Sequence, residues 1–447
     1  MTDLLDQSAL LDQANRLVEA ARRAGADAAD AVAVRGIALG VQVRLGAVEQ
    51  SERSEGDDFG LRVFVGRRSA IVSANTVSDA DQLAVRAVAM ARAAPEDPFA
   101  GLAEDHLLAR EFPALDLVDA TVPAVDQLRF AALAAEEAGR AVAGVTNSGG
   151  ASASWGLGGM VLVTSHGFVG TWLRSSHSIA MTAIAGEGTG MERDWEASSK
   201  IHRAELEDPE AIGRKAGERA VRRLKPRQAA TGQAVVIYDP RAATSLVGHL
   251  SGAVNGAAVA RKTSFLKDRM GERLFAEGVT ISDDPHRRRG LGSRPFDGEG
   301  VSGPRLAVIE DGILRHWLLD SASARELGLV SNGRAARGTG LPSPSSTNLT
   351  LEPGSVSRAD MIGSVERGLY ITDMIGSGVN GVTGDYSRGA SGFWIEQGEL
   401  TYPVAEITVA GNLKDMYRRL TPADDLEYRF GINAPTVRIE GLTIAGR

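Results

Sequence analysis

The segment YITDMIGSGVNGVTGDYSRGASGFWIEQGELTYPVAEITVAGNLKD, residues 370 to 415, is the least random stretch of the chain and decides how the rest is read. Gly376, Gly378, Gly381, Gly384, Gly389 and Gly392 punctuate short apolar pieces. Glycine at that density marks backbone that adopts positive φ or approaches another backbone closely. Phe393, Trp394 and Ile395 then lead into the turn-like Gln397-Gly398-Glu399, and Leu400 to Val409 carries the β-branched and aromatic residues of a strand. The reading is a glycine-rich loop entering a hairpin.

Between the glycines stand Asn380, Asp385, Tyr386, Ser387, Arg388 and Ser391. From this cluster Asn380, Gly381, Gly384, Asp385, Tyr386 and Arg388 are the candidate substrate-binding residues. On residue types alone this polar group could line a cleft or bind a ligand. Asp, Asn and Ser also satisfy their own backbone in turns, and Asp385 could simply pair with Arg388 there.

Working outward, the chain has 447 residues, beyond the roughly 250 to 300 at which one core stops growing, so two or three domains are expected. Its 43% hydrophobic and 24% charged residues fit a soluble globular protein, and 52 glycines favour a loop-rich or β-rich plan. A net charge of −8 disfavours nucleic acid as a partner, because neutralising phosphates needs a basic face. The basic runs Arg287-Arg288-Arg289 and Arg222 to Arg227 are short enough to be solvated loop and helix-end residues. With no cysteine, the chain can form neither disulfides nor thiolate nucleophiles nor cysteine-ligated metal sites. MTDLLDQSALLDQ carries Asp3 and Asp6 where a secretory signal would carry Lys or Arg, and no apolar run approaches the ~18 residues of a spanning helix. The expectation is a cytoplasmic protein without membrane contact.

Apolar spacing predicts a helix over 10–23 and short strands at 31–34, 38–45, 59–65 and 69–74. Gly36, the polar SERSEGDD at 51–58 and Gly66-Arg67-Arg68 separate them, and a capped alanine-rich helix follows to about Ala94. After a proline-bearing connector a similar order recurs: a helix at 125–143, strands at 152–155, 160–165, 168–185 and 195–202, and a helix at 207–224. The third part opens with the strand AVVIY at 234–238 and a helix from Asp239-Pro240 to about Ala253. On that helix Gly248, Gly252 and Gly256 make a smooth stripe suited to close packing. Residues 258–340 are loop-rich, with a strand, turn and strand over 306–320 centred on Glu310-Asp311-Gly312. The fold class expected is α+β: two helix/antiparallel-strand units, 1–115 and 116–230, followed by a β-rich domain at 231–447.

Chemistry is less legible. The seven histidines are scattered and none opens an HE dipeptide. His249 alone lies on a helix where a metal ligand could stand, yet neither a Glu nor a second His follows it. Ser391 lacks the second glycine of a nucleophile elbow, and no GxxxxGK[ST] loop is present. No catalytic residue and no metal ligand set is assigned in this chain.

RKTSFL at 261–266, FDGEG at 296–300, LAVIEDGIL at 306–314 and the block NGVTGDYSRGASGFWIEQGELTYPVAEITVAGNLKDM at 380–416 closely resemble the PmbA/TldE branch of the TldD/PmbA family, the so-called modulators of DNA gyrase. The resemblance covers essentially the whole chain. It implies a cytoplasmic metallopeptidase built from two related subunits, one of them TldD-like, that cuts unfolded peptides. It places zinc in the TldD-like partner, on an HExxxH helix and a cysteine near the C-terminus. Here the corresponding helix reads SLVGHLSGAVNG at 245–256, without the Glu and second His, and Leu426 to Val437 holds no cysteine. No cofactor is expected in this chain, and its expected role is to enclose and present unfolded peptide to a zinc-bearing partner, the glycines of 376–389 admitting a peptide backbone to a strand edge while Asp385, Tyr386 and Arg388 fix its direction through charge-assisted hydrogen bonds. The alternative is a self-sufficient enzyme or small-ligand binder using Asn380, Asp385, Tyr386 and Arg388.

Overall fold

Odd-numbered apolar residues from Ala29 to Val43 define the first layer, because residues two apart on a strand share a face. They lie on β1 (Ala28–Arg44), where Ala29, Ala31, Ala33, Ile37, Leu39, Val41 and Val43 are all buried. The computed structural model describes residues 5–446, so Asp3 of the N-terminal reading lies outside the described residues. β1 runs without a break through Gly36, which faces Gly56 on one neighbour and Gly158 on the other. The neighbours are β2 (Ala47–Val65) and β4 (Val145–Thr164); β3 (Arg68–Ala74), β5 (Val169–Ala185) and β6 (Glu192–Lys200) complete one antiparallel sheet in the order β3-β2-β1-β4-β5-β6. SERSEGDD, read as a separator, is the middle of β2. Its side chains are mostly exposed on both faces, so no burial pattern marked it as a strand.

Four helices cover one face. α1 (Ser8–Arg23) and α2 (Ala80–Ala93) pack over Ala29 to Ala33, with Leu61, Val63 and Val161 beneath them. α3 (Val125–Arg140) and α4 (Pro209–Arg222) pack over Ile37 to Val43, with Trp155, Ile179 and Met181. Asp79 and Asp208 cap α2 and α4 by accepting from the amides of Gln82 (2.9 Å) and Ala211 (3.0 Å). Two helix/antiparallel-strand units thus stand side by side on strands long enough to serve both. On the opposite face Val32, Leu162 and Phe168 meet Phe296 and Val301 of the C-terminal part.

That part is β-rich. After β7 (Gly232–Tyr238) come β8 (Ile281–Asp283), β9 (Leu306–Glu310), β10 (Ile313–Leu314), β11 (Ala335–Ala336), β12 (Ser343–Pro344) and β13 (Leu349–Leu351). β14 (Arg367–Ile375), β15 (Asp385–Glu396), β16 (Glu399–Asn412), β17 (Leu420–Pro422), β18 (Ile432–Asn433) and β19 (Val437–Ala445) follow. Asp311 and Gly312, at φ +48° and +77°, make the tight turn between β9 and β10, but the second strand ends at Leu314 rather than running to 320. The order β16-β15-β14-β7-β19 closes on itself because β19 pairs back to β16, Thr408 opposite Ala445 and Ala410 opposite Thr443. A closed ring leaves no free sheet edge along the paired residues. α5 (Pro240–Ala253), capped by Asp239, buries Leu246, Leu250 and Ala253 in the same core as Tyr238, Leu369 and Ile371.

Candidate functional site

The glycine-rich stretch is not one loop. β14 extends to Ile375 and β15 already begins at Asp385, so only 376–384 connect them and Asp385 to Ser391 are strand. Alternation then separates the charged pair: Tyr386 and Arg388 point to one face of β15 and Asp385 to the other. Asp385 accepts instead from Thr383 Oγ1 (2.6 Å) and Asn412 Nδ2 (3.0 Å), which hold its carboxyl below the usual range, Thr383 contributing most. Asn380 Oδ1 accepts from the amides of Val382 (2.9 Å) and Thr383 (3.2 Å), and the Asn380 amide donates to the Asp385 carbonyl (2.9 Å). Gly384 turns the chain at φ +85°, and Gly381 accepts from the Phe265 amide (2.9 Å). Asn380, Gly381, Gly384 and Asp385 therefore form a self-satisfied turn pinned to the RKTSF segment. The Ser387 amide donates to the Gly378 carbonyl (2.7 Å) and Val379 bridges Tyr386, so the chain itself fills the edge of β15 expected to receive a peptide strand.

Tyr386 and Arg388 belong to a different group. Tyr386, 1% exposed, meets the His249 ring edge-on at 6.1 Å, which brings β15 to the middle of α5. Tyr238, at the end of β7, completes the group with a fully buried hydroxyl that lacks a hydrogen-bond partner. The sequence quoted Tyr238 only as part of a strand; a phenol directly before the capping Asp239-Pro240 was the available signal. Burial pushes the Tyr386 phenol up to about 12, and burial, then its neighbour Tyr386, raises Tyr238 well above the ordinary phenol range. His249 Nε2 is buried and unpartnered, and its pKa is lowered by burial first and by the Arg388 charge second. Arg388 donates from Nε to the Gly376 carbonyl (2.8 Å) and has no carboxylate partner among the described residues. The imidazole Nε2 and the two phenols lie buried behind Arg388, whose half-buried guanidinium, without a carboxylate partner, is the part of the group suited to hydrogen-bond acceptors and anions.

Along α5 the surface beside His249 is bare. Gly248 and Gly252 share its face one turn apart; a methyl group on Gly252 would meet nothing within 4 Å, and one on Gly248 only Ile432 at 3.8 Å. The stripe expected to pack closely is open within this chain at both positions. Only Gly256, past the helix, is tightly packed, against Leu318 and Leu319.

The residues around His249 do not fit a metal ion. Among the described residues no three His, Asp or Glu side chains come together in a way that could hold one, and the nearest charge, Arg388, repels cations.

Three family models match: the PmbA/TldA metallopeptidase domain 1 over 29–91, the central domain over 119–224 and the C-terminal domain over 231–446. Metalloprotease PmbA of Escherichia coli is 38% identical over 427 residues, 94% of this chain and 93% of its own. The chain belongs to the PmbA/TldD metallopeptidase family. A metalloprotease PmbA homolog of Haemophilus influenzae is 37% identical over 434 residues, covering 96% of this chain and 94% of that one. Among solved structures, a Bacteroides thetaiotaomicron protein named as a candidate modulator of DNA gyrase superposes with a TM-score of 0.90 at 25% identity over 98% of each chain. TldE from Thermococcus kodakarensis gives 0.86 at 18% identity, covering 97% of this chain and 100% of its own, and supports the fold alone. The family relatives support a protease-related function.

Proposed function

We propose that this chain is the zinc-less subunit of a cytoplasmic heteromeric metallopeptidase, which helps enclose and present unfolded peptides to a TldD-like, zinc-bearing partner. One observation carries the reading: α5 presents an open glycine face beside His249, Tyr386 and Arg388, in a chain whose described residues hold no metal-ligand set. Relatives named metalloproteases connect the chain to proteolysis, whereas its own His249 stands beside the Arg388 cation without a set of possible metal ligands around it among the described residues. Gly248 and Gly252 let a peptide backbone approach the helix, and the free Nη groups of Arg388 donate to peptide carbonyls or a carboxylate. Substrate therefore lies across the helix rather than on the edge of β15, which Gly378 and Asn380 occupy. No described helix is long and apolar enough to cross a membrane, and the acidic charge argues against nucleic acid as partner.

Peptidase assays test this directly. The chain alone is expected to leave unfolded peptide intact and to retain no stoichiometric zinc by elemental analysis. Mixed with a TldD-like partner it should support cleavage that a chelator abolishes. Chelator-sensitive cleavage by the chain alone would refute the proposal.

A further inference from the structure

A second cleft, distinct from the α5 group, opens where the end of β6, the 287–291 loop and the 428–430 segment converge. Its volume is about 420 Å³, enough for one or two side chains, and its lining carries Lys200, Arg287, Arg288, Arg289 and Arg429 against a single carboxylate, Glu205. Such a concentration of cations stands out on a chain of net charge −8.

Ion pairing sorts these cations into two groups. Arg288 and Arg289 share Asp116, at 2.7 and 2.6 Å, and Arg429 is held by Glu196 and by the Ala197 carbonyl (2.7 Å). Arg287 and Lys200 have no carboxylate partner among the described residues. Lys200 Nζ reaches only the Tyr428 carbonyl at 3.4 Å, and the Arg287 guanidinium lies over the Tyr428 ring. The walls are fixed. Asn433 Oδ1 accepts from the amides of Arg429 (2.8 Å) and Phe430 (3.0 Å), and Ser293 Oγ donates to the Arg287 carbonyl (2.6 Å). Two uncompensated cations, one of them half-buried and stacked, are thus held in a preformed recess where an incoming anion gains charge-assisted hydrogen bonds. The same 428–433 segment reaches α5, since Ile432 is the neighbour of Gly248.

We propose that this cleft binds an acidic group of a polypeptide, a Glu or Asp side chain or a C-terminal carboxylate, and so gives the peptide crossing α5 a charge preference. The peptide's identity as substrate rests on the function proposed above; the anion site rests on Lys200 and Arg287 alone. A nucleic-acid strand fits poorly, because two cations without carboxylate partners in one small recess can meet a single carboxylate but offer no continuing basic face for a run of phosphates, on a chain of net charge −8.

Calorimetric titration of the full chain with a short acetylated peptide carrying one Glu, its Gln counterpart, inorganic phosphate and a single-stranded oligonucleotide tests the assignment. The Glu peptide is expected to bind about tenfold tighter than the Gln peptide, and more weakly as salt rises. That preference should vanish in Arg287→Ala combined with Lys200→Gln, and survive in Arg287→Lys, with thermal melting confirming that each variant is folded. Equal binding of both peptides, phosphate binding without peptide binding, tighter binding of the oligonucleotide, or an unchanged preference in the double variant would each overturn the proposal. Cleavage of neutral unfolded peptides by the assembled pair without an acidic preference would overturn the cleft and leave the subunit role standing. A preserved preference in a chain that supports no partner's peptidase would do the reverse.

Discussion

His249, Arg388 and Gly252 illustrate how one residue's neighbours decide its role. A lone helix histidine reads as a weak ligand candidate; burial and Arg388 hold its ring in the neutral form that can ligate, but the same Arg388 charge repels an approaching cation and no set of further ligands stands nearby among the described residues. Arg388→Ala is expected to change stability by roughly 0.5–1.5 kcal/mol, the value of its single bond to the Gly376 carbonyl, while slowing peptide cleavage by the assembled pair. Unaltered cleavage by that variant would place the substrate elsewhere. Gly252→Leu should preserve or raise stability, by up to about 0.8 kcal/mol, since an exposed helix interior gains from losing glycine and nothing obstructs the side chain. The same variant should impair peptide cleavage. A loss of 2 kcal/mol or more (~) in urea unfolding would mean that the stripe is packed after all.

At the scale of elements, β14 and β15 approach so closely that a Cβ on Gly392 would fall on the Tyr370 carbonyl. Tyr370 itself donates to Asp239, the cap of α5, through a 2.9 Å bond. Gly392→Ala is therefore expected to destabilise the barrel by about 3 kcal/mol in urea unfolding and to lower cleavage through displacement of α5. A variant as stable as the parent would show that the two strands can part without cost. The glycines that density alone singled out divide here by physical cause. Gly392 and Gly378 are close-approach positions, Gly376 and Gly384 are positive-φ positions, and Gly381 and Gly389 are neither.

Across the whole molecule, the sheet and the C-terminal part meet through buried charge. Arg62, 6% exposed, contacts Asp30 at 2.5 Å and Glu299 at 3.7 Å, while Arg337 reaches Asp30 at 2.9 Å. Burial of Asp30 is outweighed by Arg337 and Arg62, so its carboxyl stays below the usual range. Glu299 behaves oppositely: burial dominates over Arg62 and pushes it up to about 7 from an ordinary 4.5. Between those values the folded chain binds more protons at Glu299 than the unfolded one, so this contribution is present below pH 4.5 and lost as pH rises through 7. Glu299→Gln removes it. The stability of the parent relative to the variant should fall by on the order of 2 kcal/mol between pH 5 and 8, read as the difference between urea midpoints. A difference independent of pH would refute it. Comparing the two proteins cancels other titrating groups such as His177, whose pKa burial lowers.

The α+β class, the repeated helix–strand–helix order, the capped start of the alanine-rich helix, the helix start at Asp239-Pro240 and the family followed from sequence alone, because local periodicity, capping chemistry and the 380–416 block are encoded over short distances. The candidate site was only half legible. Tyr386 and Arg388 were named, but their partners His249 and Tyr238 lie more than a hundred residues away, and only closure of the barrel brings β7, α5 and β15 together. Asp385, adjacent to Tyr386 in sequence, is turned from it by the pleat of a strand whose start could not be seen through the glycines, and Asn380 is held in the turn before that strand. The polar first part of β2, up to Asp58, went unrecognised for the corresponding reason: a stretch exposed on both faces has no burial to record in its residues, and its place in the sheet is set by the register of its neighbour, whereas the buried 59–65 part was read as strand.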